Sequence, residues 1–171
     1  MVLGGNSGLR RHFIKVKDFR RLLESLPEPL GDRLSQGLPK KFNVEVGEAE
    51  EGFKVYLVDG KPLLLVDGDG RVMPPLTASE SLAMLPRVVV DRGAIPHICN
   101  GADVMRPGIV QVEGEFDGKS LVVVVDVDHR KPLALGVALL SSREVRRCEK
   151  GKMVKTIHYV GDKIWNLYRN L

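Results

Sequence analysis

The sequence predicts an α+β protein of two small domains, in which an N-terminal α+β domain is followed by a small β-barrel. Three observations support this prediction: an amphipathic helical stripe near the start, a strand hairpin behind it, and a change to short strands and turns after Pro86. The chain has 171 residues, of which 43% are apolar, so it can bury a core in one large domain or in two small ones. We place the two predicted domains at residues 1–85 and 86–171.

The first predicted element is an amphipathic helix that ends before two prolines. Its apolar side chains follow the spacing i, i+3, i+4 and i+7, which places them on one helical face. These side chains are Phe19, Leu22, Leu23 and Leu26. Pro27 and Pro29 cannot continue the hydrogen-bond ladder of a helix, so the helix is predicted to end there.

A hairpin, a further turn and a short helix complete the predicted first domain. The runs at residues 53–57 and 63–66 are strand-like, and Asp59-Gly60 between them is a strong hairpin signal. Alternating aspartate and glycine at residues 67–70 predict a second turn. Thr77 and Glu80 have the spacing of a capping box, which predicts a short helix ending near Pro86.

Beyond Pro86 the pattern predicts five short strands and two short helices. The strands are separated by glycine, proline and aspartate turns, which is typical of a small β-barrel. They cover Val88–Val90, Ile109–Val112, Leu121–Val127, Leu133–Leu140 and Met153–Tyr159. One helix is predicted around Gly93–Cys99, and Ser142 is predicted to be the N-cap of the other, before Val145.

Composition excludes several classes of protein. No apolar run approaches the roughly 18 residues of a membrane-spanning helix, and residues 1–11 lack the apolar core of a secretory signal. We therefore expect a cytoplasmic protein with no membrane contact. Cys99 and Cys148 are the only cysteines, too few for a zinc cluster or a disulfide framework.

Basic residues are concentrated in two segments of this mildly basic chain, whose net charge is +4. Six lysines and arginines lie between Arg10 and Arg21, and six more lie between Arg143 and Lys155. Clustered positive charge favours contact with polyanions, although a run of charges is also the ordinary solvated face of a protein. The role of the first cluster stays open.

Two segments of the second half resemble the PUA domain. The sequences DRGAI at residues 91–95 and NGADVMRPGI at residues 100–109 are similar to its opening helix and its glycine-bearing loop. Residues 135–138, 150–152 and 157–165 resemble its late strands and tail in one family. That family comprises the malignant T-cell-amplified sequence proteins and their archaeal relatives, and residues 39–85 resemble its N-terminal domain.

The resemblance implies a fold and a function. The fold is a PUA-type pseudo-β-barrel behind an N-terminal α+β, or pre-PUA, domain. The function is non-enzymatic binding of structured RNA, either tRNA or small-subunit rRNA, in the translation apparatus. The implied partners are the small ribosomal subunit and a protein similar to a translation initiation factor, and no cofactor is implied. The alternative is a protein-interaction adaptor that docks a translation factor through the N-terminal domain without binding RNA.

The resemblance places the RNA-binding face on the first PUA helix, on the loop at residues 105–108 and on the last strands. Gly101 and Gly108 would allow a sugar-phosphate backbone to come close, and Arg106 would offer a charged fork to phosphate. Both glycines are equally expected as turn residues, and Arg106 as a solvated surface arginine. The candidates on the helix and the loop are Arg92, His97, Gly101, Arg106, Pro107 and Gly108.

A second group of candidates surrounds a predicted turn at Gly151. Basic side chains and exposed backbone N–H groups at such a turn can bind phosphates together. This group contains Arg146, Arg147, Lys150, Gly151 and Lys152. Tyr159 and Trp165 are better explained by core packing than by stacking on bases.

Two enzyme-like or metal-binding patterns are weak. Asp126 and Asp128 follow an apolar strand as in haloacid-dehalogenase phosphatases, but His129 and Arg130 stand where that motif needs a small residue and threonine. These aspartates are predicted to be hairpin residues. The aspartates of residues 67–70 are spaced like calcium ligands, but Arg71 occupies the third ligand position, so a plain turn is predicted there.

Overall fold

The computed structural model describes residues 9–49 and 52–171, which divide into two compact units. The first unit contains the described residues up to Ser81 together with Asn166–Leu171, and the second contains Leu82–Trp165. The domain boundary between residues 85 and 86 stays a prediction. Within the described ranges, no helix is both long and apolar enough to cross a bilayer.

The first unit is built on an antiparallel sheet of five strands in the order β1-β2-β3-β4-β5. These strands are β1 (Arg10–Ile14), β2 (Val44–Glu48), β3 (Lys54–Val58), β4 (Lys61–Val66) and β5 (Val72–Met73). Its helices are α1 (Val16–Glu24) and α2 (Leu30–Gln36), and the short helix α3 (Ser79–Leu82) follows the sheet. The predicted amphipathic helix, the hairpin and the short third helix are all confirmed.

The apolar face of α1 packs into the core, as its spacing predicts. Phe19 and Leu23 are buried, and the ring of Phe19 lies 6.2 Å from that of Tyr56 on β3. The hairpin turn is made by Asp59 and Gly60, which both have positive φ (48° and 82°), as the tightest turn between twisted strands requires. Local pattern alone was therefore sufficient for these two elements.

The second unit is built on a curled sheet of six strands in the order β7-β11-β10-β9-β6-β8. These strands are β6 (Arg87–Val90), β7 (Val104–Met105), β8 (Ile109–Glu113), β9 (Leu121–Asp126), β10 (Pro132–Ala138) and β11 (Lys152–Tyr159). The helices are α4 (Ile95–Ile98), α5 (Ser142–Arg147) and a 3-10 turn at Arg106–Gly108, and α6 (Lys163–Arg169) follows β11. All five predicted strands and both predicted helices of this half are confirmed, and so is the α+β class.

The core of the second unit lies on one face of this sheet. Val88 and Val90 of β6 pack with Val122 and Val124 of β9 in one cluster that also contains Ile98 of α4. The strands β6 and β9 run parallel, and the intervening valines are buried as well, so both faces of β9 are shielded from water. A nearly continuous apolar strand is expected at such a central position.

The N-cap of α5 was predicted one residue too late. Ser141 is the cap, because its Oγ accepts the N–H of Glu144 at 3.2 Å. Ser142 is instead buried, and its Oγ accepts the N–H of Phe116 at 3.1 Å. The sequence contains two adjacent serines, and burial decides which of them caps the helix.

Gly136 on β10 is required by the close approach of β11. A Cβ added at this position would lie 2.3 Å from Cγ1 of Val154 and 2.9 Å from the carbonyl oxygen of Lys155. We expect Gly136→Ala to lower the free energy of unfolding by about 1–3 kcal/mol, because the two strands must separate to admit the methyl group. Urea denaturation measures this change. Gly118→Ala, whose nearest neighbour would be 3.6 Å away, is the control and should leave stability nearly unchanged.

Candidate nucleic-acid interface

A surface cleft of about 500 Å³ opens between α4 and the segment that contains β7 and the 3-10 turn. Most of its lining is apolar. The lining consists of Asp91, Gly93, Ala94, His97, Ile98, Ala102, Asp103, Val104, Met105, Pro107 and Gly108. Three of the predicted site residues, His97, Pro107 and Gly108, therefore line one cavity.

A backbone hydrogen bond joins the two walls of the cleft, and a side-chain bond orders one of them. The N–H of Asp91 donates to the carbonyl of Gly108 at 2.9 Å, and the Asp91 Oδ1 accepts the N–H of Ala94 at the same distance. A Cβ on Gly108 would lie 3.1 Å from the Cβ of Ala94. Glycine at position 108 therefore permits the close approach of the two walls.

The turn that contains Gly151 lies at the edge of the same cleft. The N–H of Arg106 donates to the carbonyl of Gly151 at 2.8 Å, and Met105 pairs with Lys152 in the antiparallel ladder. Gly151 has φ of 102°, a conformation that favours glycine. The structure thus brings together the loop and the turn that the sequence treated as two groups.

Lys152 is held at the cleft by a carboxylate that the sequence did not indicate as a site residue. Its Nζ lies 2.8 Å from Oδ2 of Asp103, and Oδ1 of Asp103 accepts the N–H of Thr156 at 2.9 Å. Burial tends to raise the pKa of Asp103, but the bonds from Lys152 and Thr156 outweigh it and hold that pKa below its usual value. Half of the Lys152 side chain is exposed (51%), so its ammonium group is accessible from outside.

The fold requires glycine at position 101, independently of any ligand. Its φ is 89°, and an added Cβ would lie 3.0–3.2 Å from the ring of Tyr159. Tyr159 in turn packs against the core cluster of the second unit. The turn-glycine explanation therefore applies to Gly101, and core packing applies to Tyr159 as predicted.

The side chain of Arg106 is directed to the protein's own backbone. Its Nε donates to the carbonyl of Val145 at 2.8 Å, and its Nη1 donates to the carbonyl of Ile109 at 3.0 Å. These bonds connect the 3-10 turn to α5 and β8. Two of the five guanidinium N–H groups are thereby used inside the fold.

Arg92 and Arg146 are engaged in ion pairs with acidic side chains. Arg92 donates two hydrogen bonds to Asp128, and the exposed fraction of its side chain is 78%. Arg146 bonds the carboxylate of Glu115 at 2.8 Å and the carbonyl of Gly114 at 3.2 Å. Neither arginine is among the residues that line the cleft.

Arg147, the last residue of α5, and Lys150, which precedes Gly151, are both exposed. Arg147 follows Val145 by two residues, and the Val145 carbonyl is the group that Arg106 contacts. Lys155 was outside the predicted set, although its charge acts on Asp103. No regular alternation on β11 indicates it, because the two residues before it, Met153 and Val154, are both buried.

Asp126 and Asp128 are hairpin residues, as predicted. Asp126 is buried, and its carboxylate accepts the N–H groups of His129 at 2.9 Å, Lys131 at 2.7 Å and Asp128 at 3.2 Å. The bond from His129 and the other backbone bonds lower its pKa against the effect of burial. Arg92 holds the Asp128 carboxylate, so both groups have structural roles in the turn.

Asp67, one of the calcium-like aspartates in the first unit, also forms a plain turn. Its Oδ1 accepts the N–H groups of Asp69 and Arg71, both at 2.9 Å. Nη1 of Arg71 lies 3.5 Å from Oδ2 of Asp67 and 3.6 Å from Oδ2 of Asp69. The predicted turn is therefore confirmed, and the arginine lies where a third ligand would be needed.

Family models match both halves of the chain. The PUA-domain model matches residues 86–160, which include the whole cleft and the Gly151 turn. A model described as a domain of unknown function, DUF1947, matches residues 10–78.

Relatives and solved structures match nearly the full length. Uncharacterized protein MJ1432 of Methanocaldococcus jannaschii is 40% identical and covers 92% of this chain and 96% of its own. Translation machinery-associated protein 20 of Saccharomyces cerevisiae is 28% identical over 85% of this chain and 83% of its own. Malignant T-cell-amplified sequence 1 of Rattus norvegicus is 28% identical over 86% and 82%. The crystal structure of hypothetical protein PH0734.1 from Pyrococcus horikoshii superimposes with a TM-score of 0.79 at 36% identity, covering 93% and 99% of the two chains.

Replacing Arg106 tests its structural role. Arg106→Ala leaves the carbonyls of Val145 and Ile109 without these donors, so we expect the free energy of unfolding to fall by about 1–3 kcal/mol. Arg106→Lys should not restore it, because an ammonium group cannot reproduce the planar fork. Urea denaturation provides the measurement. Arg147→Ala, which removes an exposed arginine, should change stability by no more than about 0.5 kcal/mol, and an equal loss in both variants would contradict this role.

The pKa of Asp103 reports the Lys152 ion pair. In the intact protein we expect a carboxyl pKa below the ordinary value for aspartate, and Lys152→Ala should move it upwards. The pair stabilises the fold above the unfolded-state pKa, and this contribution is lost as the pH falls through the lowered folded-state pKa. Carboxyl chemical shifts followed by NMR across pH 2–6 measure the change. Lys150→Ala is the control, and an unchanged Asp103 pKa in Lys152→Ala would refute the assignment.

Proposed function

This chain belongs to the family of PUA-domain proteins that contains MJ1432, the translation machinery-associated proteins 20 and the malignant T-cell-amplified sequence proteins, and we propose that it binds RNA in the translation apparatus. The family resemblance inferred from the sequence is confirmed for both halves of the chain. The proposed activity is binding without catalysis, in the cytoplasm.

The main support for the proposal is that an apolar cleft adjoins a positively charged turn at residues 150–152. The cleft offers apolar surface to an unpaired base, and Lys152 stands at its edge through its pairing with Met105 and Asp103. Single-stranded nucleic acid is commonly bound in this way, with bases against apolar surface and the backbone beside positive charge. Arg147 and Lys150 extend the positive charge along the chain next to Lys152.

The ion pair of Lys152 with Asp103 does not prevent Lys152 from binding phosphate. In the pair between Lys152 and Asp103 the lysine side chain is half-exposed, and exposed ion pairs contribute only about 0–1 kcal/mol to stability. A phosphate group can therefore compete for Lys152 at little cost. The backbone N–H groups of a glycine turn add donors that carry no charge of their own.

The proposed roles of the eleven predicted residues differ. Arg147, Lys150, Gly151 and Lys152 are proposed to bind the phosphate backbone, and His97, Pro107 and Gly108 to contact an inserted base. Gly101 and Arg106 are proposed to hold the shape of the interface, each through its contacts inside the fold. For Arg92 and Arg146, only the exposed parts of their guanidinium groups are proposed to reach RNA.

The proposed ligand is a structured RNA, either tRNA or small-subunit rRNA, and the small ribosomal subunit is the proposed site of action. The support is that translation machinery-associated protein 20 of Saccharomyces cerevisiae is similar to this chain over 85% of its length. A protein similar to a translation initiation factor is a further proposed partner.

A second candidate function is a protein-interaction adaptor that acts through the N-terminal domain. The exposure of Phe13 favours it, because this side chain is 70% exposed on β1, the outermost strand of the described five-stranded sheet. Outer strands with exposed apolar residues are places where another chain can pair. In this alternative the cleft would not bind RNA.

Binding of labelled tRNA and of a small-subunit rRNA fragment, measured by fluorescence anisotropy across a range of salt concentrations, tests the proposal. Lys150→Ala with Lys152→Ala should weaken binding at least tenfold and flatten the log–log salt slope by roughly one to two units, because two phosphate contacts are lost. Lys40→Ala with Lys41→Ala removes the same charge from the other unit and is the control. An unchanged slope would refute the phosphate contacts, and no binding to either RNA would favour the adaptor.

A further inference from the structure

Two carboxylates line the cleft, and their hydrogen bonds differ. Both oxygens of Asp103 are occupied, one by Lys152 and the other by the N–H of Thr156. Oδ1 of Asp91 accepts the N–H of Ala94, but the structure gives no partner for its Oδ2 within residues 9–49 and 52–171. The lining of the cleft therefore includes a carboxylate with one oxygen that can accept a further hydrogen bond.

The position of this oxygen is fixed by the fold. The backbone N–H of Asp91 is bonded to Gly108 on the opposite wall, while its carboxylate is bonded to Ala94. A hydrogen-bonding group held in this way discriminates between ligands, because it does not have to be ordered when the ligand binds. His97 also lines the cleft, but a neutral imidazole can donate or accept and so imposes no preference of its own.

Charge determines which part of an RNA can enter. A carboxylate repels phosphate, so the sugar-phosphate backbone is directed to the cationic turn at residues 150–152. Ile98, Val104 and Pro107 offer apolar surface to a flat ring. An ionised carboxylate only accepts hydrogen bonds, so the ring that fits best carries N–H donors on its edge.

We propose that Asp91 makes the cleft selective for an unpaired base that carries an exocyclic amino group, which donates a hydrogen bond to Oδ2. Adenine, cytosine and guanine have such a group. Uracil presents carbonyl oxygens on both sides of its single N–H, so the carboxylate disfavours it. This inference rests on the proposed function, and it adds a preference among bases to binding at the same site.

Cytosine and uracil form a matched pair for the test. Both are pyrimidines of nearly equal size, and they differ at the exocyclic group of C4 and in the protonation of N3. The probes are two fluorescein-labelled RNA hairpins with identical stems and a six-nucleotide unpaired tail of either cytosine or uracil. We expect the intact protein to bind the cytosine tail roughly tenfold more tightly, the effect of one hydrogen bond to a charged group.

Asp91→Asn replaces a hydrogen-bond acceptor with a donor while preserving the shape of the side chain. Its carbonyl oxygen can still accept the N–H of Ala94, since asparagine caps such turns as well as aspartate does. Its amide group replaces the accepting oxygen with a donor, so the preference for cytosine should disappear or reverse towards uracil. Asp117→Asn removes an exposed carboxylate outside the cleft and should retain the full preference.

The outcomes separate this inference from the proposed function. If tRNA or the small-subunit rRNA fragment binds to the intact protein but neither hairpin does, the base preference alone is refuted. If none of these RNAs binds, both the proposed function and the base preference are wrong. If both tails bind equally well, RNA binding stands and the base preference alone is refuted. The same holds if the cytosine preference survives in Asp91→Asn, and circular dichroism of that variant confirms that it is folded.

Discussion

Two backbone hydrogen bonds hold the segment at residues 104–108, and the candidate interface depends on them. One connects Asp91 to Gly108 and so joins the segment between β6 and α4 to the 3-10 turn. The other connects Arg106 to Gly151 and so joins the 3-10 turn to the start of β11. The guanidinium of Arg106 adds bonds to α5 and β8. The cleft and the positively charged turn at residues 150–152 are therefore parts of one hydrogen-bonded arrangement.

Basic residues in this arrangement have two kinds of role. Arg106 supplies hydrogen bonds to buried backbone carbonyls, and Arg146 is paired with Glu115. Lys150 and Arg147, by contrast, are exposed. Binding to a polyanion depends on charges that can reach it, so a count of basic residues overestimates the number of phosphate contacts. The distinction follows from the partners of each side chain and not from its type.

Patterns that act over a few residues predicted most of the elements correctly. The stripe of α1, the Asp59-Gly60 hairpin and the valine-rich β9 each show their periodicity within a single element. β1 and β2 were missed, because their pairing joins Arg10–Ile14 to residues far along the chain and neither strand has a strong alternation. β7 was also missed, since two residues are too few to show a period.

The sequence by itself determined the α+β class, five of the six strands of the second half and the segments that resemble a PUA domain, because these follow from local periodicity, turn chemistry and motif. Only the tertiary structure decided that the loop at residues 105–108 and the turn at Gly151 meet at one cleft. It also decided that Arg106 bonds its own fold and that Asp91 retains one accepting oxygen. Side-chain partners that are distant in sequence depend on strand pairing and burial, and no local pattern records them.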